Sequence, residues 1–300
     1  MVEAMSREGS VDVPGARLRY RLAGTPGEPL LVFENGWGAS YEQWAWVERE
    51  LAPHAQLLFY DRAGIGGSVR LEPQTVAGLS AHFAALPASL GLHGPVIAVG
   101  HSYGGLMCSL HAAQRRDAVQ AVVEIDSTPE RGDIDADSGL RSLPKLIALI
   151  RGGLRLGIPN VAFGGLAKKL PPDAGRSLMR IALSNRASLQ AGLDEFAMLH
   201  EIRAAIAIGR PQDFSRLLIA AGTPAKHEGL LSRILVSRAR VQSVFARNGQ
   251  MQRERTTRDA GCRLQPLPYD HSDLVFDPNG ARETAASIRQ FVRDLESVPA

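Results

Sequence analysis

Three hundred residues, 45% hydrophobic and 22% charged, make up one large α/β domain or a core with an insertion, and rule out a disordered or fibrous chain. The net charge of +3 is local. Between Arg141 and Arg186 nine Lys or Arg face the single acid Asp173, with no aromatic platform or zinc spacing, which argues against a nucleic-acid partner.

The N-terminal MVEAMSREGS lacks the basic and apolar regions of a signal peptide. Ser10 to Val13 and Arg17 to Ala23 are predicted strands joined at Pro14-Gly15, and Leu30 to Phe33 is an apolar strand running into the Gly-rich loop NGWG. A helix carrying Trp44 and Trp46 follows, then a strand from Gln56 to Tyr60 and a second Gly-rich loop. That loop's GIGGS is no dinucleotide fingerprint, because Pro73 prevents a helix from opening directly after it. Thr75 to Leu92 reads as a helix with a possible break at Pro87.

From Pro73 to Gln114 there is no Asp, Glu, Lys or Arg. Its Pro and Gly breaks, with His82, His93, His101 and Ser102 inside, indicate buried helix, strand and helix in succession rather than a membrane span. Cys108 lies in the second of these helices. With only Cys262 besides, the chain has neither a disulfide framework nor a metal site, and a reducing cytoplasm is the expected compartment.

The centre of that run, PVIAVGHSYGG, is an apolar strand (Val96 to Val99), a tight turn with Ser102 at its apex, and a helical pattern from Leu106 to Gln114. A hydroxyl is a useful nucleophile when it is exposed, near a base and next to N–H groups that can receive an oxyanion. A G-x-S-x-G elbow between strand and helix supplies the first and last of these. Gly100 and Gly104 are predicted where a Cβ would collide across the turn, and Gly105 where the helix packs close to its strand.

Val119 to Ile125 is a β-branched strand ending at Asp126. Strands alternating with helices imply a mostly parallel sheet covered on both faces. From Ser127 to Ser215 the pattern is helical, a candidate cap. The sheet resumes at Leu217 to Ala221, Glu228 to Arg247 reads as a long helix, Cys262 to Leu267 as the last strand and Glu283 to Leu295 as the closing helix. The expected division is a core of 1–126 and 216–300 with a helical cap of 127–215.

Four motifs give the chain a resemblance to the α/β-hydrolase superfamily over nearly its whole length: NGWG (Asn35 to Gly38), DRAGIGGS (Asp61 to Ser68), GHSYGG (Gly100 to Gly105) and DHSD (Asp270 to Asp273). The resemblance implies that fold, Ser102 as nucleophile, His271 as base, and an oxyanion hole made by the backbone N–H groups of Trp37 and Tyr103. Asn35 stands where the family usually has His, which leaves the N–H donor untouched. The family's epoxide hydrolases and haloalkane dehalogenases use an aspartate nucleophile, which Ser102 excludes here. The triad acid is open between two positions. Asp126, at the end of the strand after the elbow, is preferred, and Glu228, after the strand that follows the cap, is the alternative. His101 is expected to pack or hydrogen-bond rather than act as base.

The expected activity is hydrolysis of a carboxylic ester through an acyl-enzyme, with no cofactor or metal and a small-molecule substrate bearing an apolar group. Acyl transfer, or cleavage of a thioester, amide or C–C bond, could use the same site, and a catalytically silent binding protein is the reading from another class. The basic segment reads as solvated outer faces of cap helices, with an anionic membrane or an acidic substrate as alternatives.

Overall fold

A computed structural model describes residues 5–26, 29–131, 164–183, 185–209, 214–225 and 238–297. The strands are β1 (Met5–Val13), β2 (Ala16–Gly24), β3 (Leu30–Glu34), β4 (Gln56–Tyr60), β5 (Val69–Arg70), β6 (Val96–His101), β7 (Val119–Ile125), β8 (Arg216–Ala221) and β9 (Cys262–Leu267). They form one mixed sheet in the order β1-β2-β4-β3-β6-β7-β8-β9, with β5 pairing beside β2. β1 and β2 form an antiparallel hairpin, β2 lies antiparallel on β4, and from β4 to β9 every pairing is parallel.

The described helices are α1 (Ala45–Leu51), α2 (Val76–Ser89), α3 (Tyr103–Gln114), α4 (Pro172–Leu178), α5 (Arg186–Ala197), α6 (Leu199–Gly209), α7 (Arg238–Arg258), α8 (Asp273–Phe276) and α9 (Pro278–Glu296). The central strands β3, β4, β6 and β7 are buried at nearly every position because both faces of the sheet are covered. In β3, Leu31 and Phe33 enter a core with Val47 and Leu51 of α1 and Ala285 and Ile288 of α9. Leu30 and Val32 point the other way, to Phe83 and Leu86 of α2 and Cys108 of α3.

Helix boundaries moved where polar chemistry sets them. α2 runs through Pro87 to Ser89. α9 begins at Pro278 rather than Glu283, because Asp277 caps it by accepting from Asn279 N and Gly280 N with proline in the first turn. α7 extends to Arg258, beyond the apolar pattern that ended near Arg247. The helical prediction for the basic segment falls in large part on residues 132–163, outside the described residues. Among the described residues, no helix is long and apolar enough to cross a membrane.

The Gly-rich loop after β4 closes on its own carboxylate. Asp61 accepts from Tyr41 N (2.9 Å) and Gly67 N (2.9 Å), and a Cβ on Gly66, whose φ is +58°, would lie 2.3 Å from Asp61 Oδ2. Loop amides already committed to an anionic side chain form no phosphate cradle.

Candidate active site

The parallel strands deliver the ends of β3, β4, β6 and β7 to one edge of the sheet. From residue 96 to 112 every residue is buried except Ser102, and from 30 to 44 every residue is buried except Trp37. Exposure therefore opens at the elbow and at the loop beside it. Ser102 has φ 57° and ψ −119°, a backbone geometry that costs on the order of 1–3 kcal/mol in a non-glycine residue. The turn is held on both sides, by Ser102 N donating to Ile125 O and Thr128 N donating to Ser102 O, each 2.9 Å. A Cβ on Gly100 would sit 2.2 Å from Gly104 O, one on Gly104 2.1 Å from Glu34 O, and one on Gly105 2.6 Å from Ser127. Those contacts fix all three glycines.

Among the described residues, Ser102 and Asp126 are the only non-glycines with positive φ. Asp126, at φ 40°, ends β7 beside the elbow and accepts from His271 Nδ1 at 2.7 Å. Its other oxygen takes Ala221 N and Gln252 Nε2, both at 3.3 Å. Burial alone would raise the Asp126 pKa, but the hydrogen bond and charge of His271 outweigh it and hold it below the usual carboxylate value. Burial alone would lower that of His271, whereas the hydrogen bond and charge of Asp126, with Asp270 adding, raise it. With Nδ1–H donated to the carboxylate, Nε2 of the neutral ring is left as an acceptor.

His271 is positioned by its neighbours. Asp270 Oδ1 accepts from Ser272 N, Ser272 Oγ and Asp273 N, which opens α8 and leaves the His271 ring to Asp126. His101 Nε2 donates to His271 O at 2.9 Å, and the two rings lie 4.6 Å apart. Burial, then the charge of His271, lowers the His101 pKa to about 3, so His101 stays neutral. Among the described residues no hydrogen bond joins Ser102 Oγ to the imidazole.

The NGWG loop is pinned by buried polar groups. Asn35 donates Nδ2 to Tyr60 O (2.7 Å) and accepts from Trp44 Nε1 (2.9 Å), and Gly36 N donates to Gln43 Oε1 (3.2 Å). Arg62 donates to Asn35 O at 2.7 Å and Gly36 O at 3.3 Å, while its other donors reach Glu34 at 3.1 Å and both oxygens of Glu195 at 2.8 and 3.0 Å. Burial disfavours its charge, and Glu195 and Glu34 more than offset that. Trp37 Nε1 donates to Gly192 O at 2.6 Å, and Tyr103, first residue of α3, donates its hydroxyl to Glu195 O at 3.1 Å.

Ser102, His271, Asp126, Trp37 and Tyr103 are thus gathered at one edge of the sheet, whereas Glu228 lies outside the described residues. No helix opens at Ser127, and Glu130 pairs with Arg255 at 2.9 Å, so the residues after Asp126 form no capping box. Sequence reasoning missed Arg62, Glu195 and Gln252. Arg62 sat inside a quoted motif, and its pairing with Glu195, 133 positions away, left no local signal.

A family profile described as alpha/beta hydrolase fold matches residues 29–153. The chain has the α/β-hydrolase fold. Over 133 residues it is 32% identical to a protein of Hormonema carpetanum named "Probable transporter efuK", covering 42% of this chain and 19% of that protein. Over 101 residues it is 31% identical to a pimeloyl-[acyl-carrier protein] methyl ester esterase of Photorhabdus laumondii, covering 33% of this chain and 36% of the esterase. The chain therefore spans well under half the length of these curated relatives. Among solved structures, DBJA superposes with a TM-score of 0.70 at 16% identity over 99% of this chain and all of that one, a likeness of fold.

Proposed function

We propose that this α/β hydrolase cleaves a carboxylic ester by way of a Ser102 acyl-enzyme. The observation that carries the reading is the 2.7 Å hydrogen bond from His271 Nδ1 to Asp126, made beside an elbow whose one part-exposed residue is Ser102. His271 Nε2 takes the Ser102 proton as Oγ adds to the ester carbonyl. The carbonyl electron pair moves to its oxygen, which the backbone N–H groups of Trp37 and Tyr103 receive. Collapse expels the alkoxide with the proton from His271, and water, deprotonated by the same nitrogen, then releases the acid and frees Ser102.

The helices between β7 and β8 serve as the cap, and the substrate is a small molecule with an apolar group. Packing of Trp37 against Phe196, with ring centres 6.5 Å apart, supports an apolar wall there. From the pimeloyl-[acyl-carrier protein] methyl ester esterases we take only the bond type. A serine at the elbow supports ester cleavage over the chemistry of aspartate-nucleophile relatives. Labelling with a fluorophosphonate, followed by a panel of p-nitrophenyl esters of graded acyl length, tests the reading. Stoichiometric modification of Ser102 and ester turnover are expected; absence of both overturns it and leaves a silent scaffold.

A further inference from the structure

A trans peptide unit holds its C=O and N–H in one rigid plane, pointing in opposite directions, so whatever holds the oxygen also aims the hydrogen. The N–H of Trp37 belongs to the same peptide unit as the C=O of Gly36. That oxygen accepts from Arg62 Nη2 at 3.3 Å and from Ala39 N at 3.2 Å. The preceding unit is held at both ends, its oxygen by Arg62 Nη1 at 2.7 Å and its N–H by Gln43 at 3.2 Å. A guanidinium is a planar fork, so fixing its plane fixes both bonds it makes to the loop.

The plane of Arg62 is fixed by α5. Glu195 meets it through two oxygens, and both residues are sealed from solvent, the side chains 3% and 1% exposed. α5 touches both proposed oxyanion residues as well, through Gly192 O on the Trp37 indole and Glu195 O on the Tyr103 hydroxyl. A Cβ at Gly192 would already lie 3.4 Å from that indole nitrogen. One turn of one helix thus contacts the side chain of each residue and, through Arg62, the backbone of one.

We infer that Arg62, held in plane by Glu195, is a positioning residue that aims the Trp37 amide and makes oxyanion stabilisation depend on the seating of α5. The inference deepens the ester-hydrolase reading and rests on it. A cap helix that aims a donor lets the site reach full competence when the cap is seated.

Two variants keep Arg62 or its charge in place while loosening the fork. Glu195→Gln leaves Arg62 paired with Glu34, and Arg62→Lys keeps the charge but cannot bond both carbonyls in one plane. With active sites counted by fluorophosphonate labelling, each is expected to lower kcat per labelled site for p-nitrophenyl acetate about tenfold, below the roughly 10²–10³ for outright loss of an oxyanion donor. KM and the pH midpoint should stay put, since His271 and Asp126 are untouched. A fall in the labelled fraction with kcat per site unchanged would make the pair structural only and overturn the inference.

A second arm needs no substrate. The protein has three tryptophans, so ¹⁵N-tryptophan labelling gives three backbone and three indole resonances, with Trp37 assigned from Trp37→Phe. In Glu195→Gln the Trp37 amide should shift and its hydrogen exchange accelerate while Trp46 holds still. An unmoved Trp37 amide overturns the inference even if ester turnover is normal. A wild-type protein without turnover sinks the ester reading alone, and the Trp37 amide then decides the positioning.

Discussion

Two buried ionic clusters flank the candidate site, and each threads an arginine between two glutamates. In one, Arg62 lies between Glu34 and Glu195. In the other, Arg255 of α7 lies between Glu124 of β7, at 2.6 Å, and Glu130, at 2.9 Å, with Arg216 joining on Glu124. Burial of this kind is weak evidence for net stability in either, since desolvation offsets much of the attraction. The difference lies in where the remaining donors go. Arg62 spends them on main-chain carbonyls of the loop that carries Trp37. Arg255 ends on carboxylates, and its Nε meets no acceptor among the described residues. The first cluster has the geometry to aim a reacting group. The second has the geometry to hold a helix.

The comparison needs a scale, which the proposed triad supplies. Ser102→Ala is expected to lower kcat by roughly 10⁴ or more with an unchanged melting temperature, because a hydroxyl at a part-exposed turn leaves no large cavity. Retention of a tenth of the activity would end the acyl-enzyme reading. Asp126→Asn should cost about 10⁴, as a neutral amide can no longer select the His271 tautomer. Both losses should exceed anything obtained from either ionic cluster.

The pH profile sharpens the scale. The raised pKa of His271 means that the protonated, inactive form persists above the ordinary histidine value of about 6.5. The expected kcat/KM midpoint therefore lies above that value, with activity falling about tenfold per unit on its acid side. His101, held neutral by burial, adds no second step. A flat profile down to pH 4 would exclude a histidine base.

Arg255→Met tests the second cluster. Removing one partner leaves Glu124 and Glu130 buried with less compensation, and a stability loss of about 3–5 kcal/mol by urea denaturation is expected. Activity per labelled site should stay near that of the wild type. If kcat per site falls with KM unchanged, the distinction between an aiming and a holding cluster collapses.

The sequence exposed the parts of this molecule that are local or periodic. β4 and β7 stand where the apolar runs placed them, because strands in a parallel sheet covered on both faces are largely hydrophobic, and β9, an edge strand with only Leu267 buried, also stands where it was read. The elbow glycines were readable because each answers to a steric clash at its own position. α7, whose C-terminal end was read near Arg247, was set short for the opposite reason. Its C-terminal half, rich in arginine and glutamine, packs through Arg255 and Gln252 instead of an apolar stripe, and polar contacts with β7 leave no period to read. The start of α9 was legible but overlooked, since Asp277 before Pro278 is a capping signal independent of hydrophobic spacing.

The smallest expected effect concerns the single link between the second cluster and the site. Gln252 and Arg255 lie three apart on one face of α7, and they meet Asp126, just past the end of β7, and Glu124 within it, so the helix meets this stretch pair by pair. The pairs differ in strength. Arg255 holds Glu124 by charge at 2.6 Å, whereas Gln252 offers Asp126 a neutral N–H at 3.3 Å, on the oxygen that His271 does not use. Ala221 N donates to that same oxygen, so Asp126 keeps a backbone partner when the amide is removed. A neutral hydrogen bond is worth about 1 kcal/mol net, or about a fivefold change in rate if all of it bears on the orientation of Asp126. Gln252→Leu should therefore lower kcat by fivefold or less at unchanged KM, and should move the His271 midpoint slightly upward, because Asp126 loses a donor that competes with the imidazolium for its charge. A fall as deep as that of Asp126→Asn would mean that α7 sets the position of the acid, and the holding cluster would then belong to the catalytic apparatus.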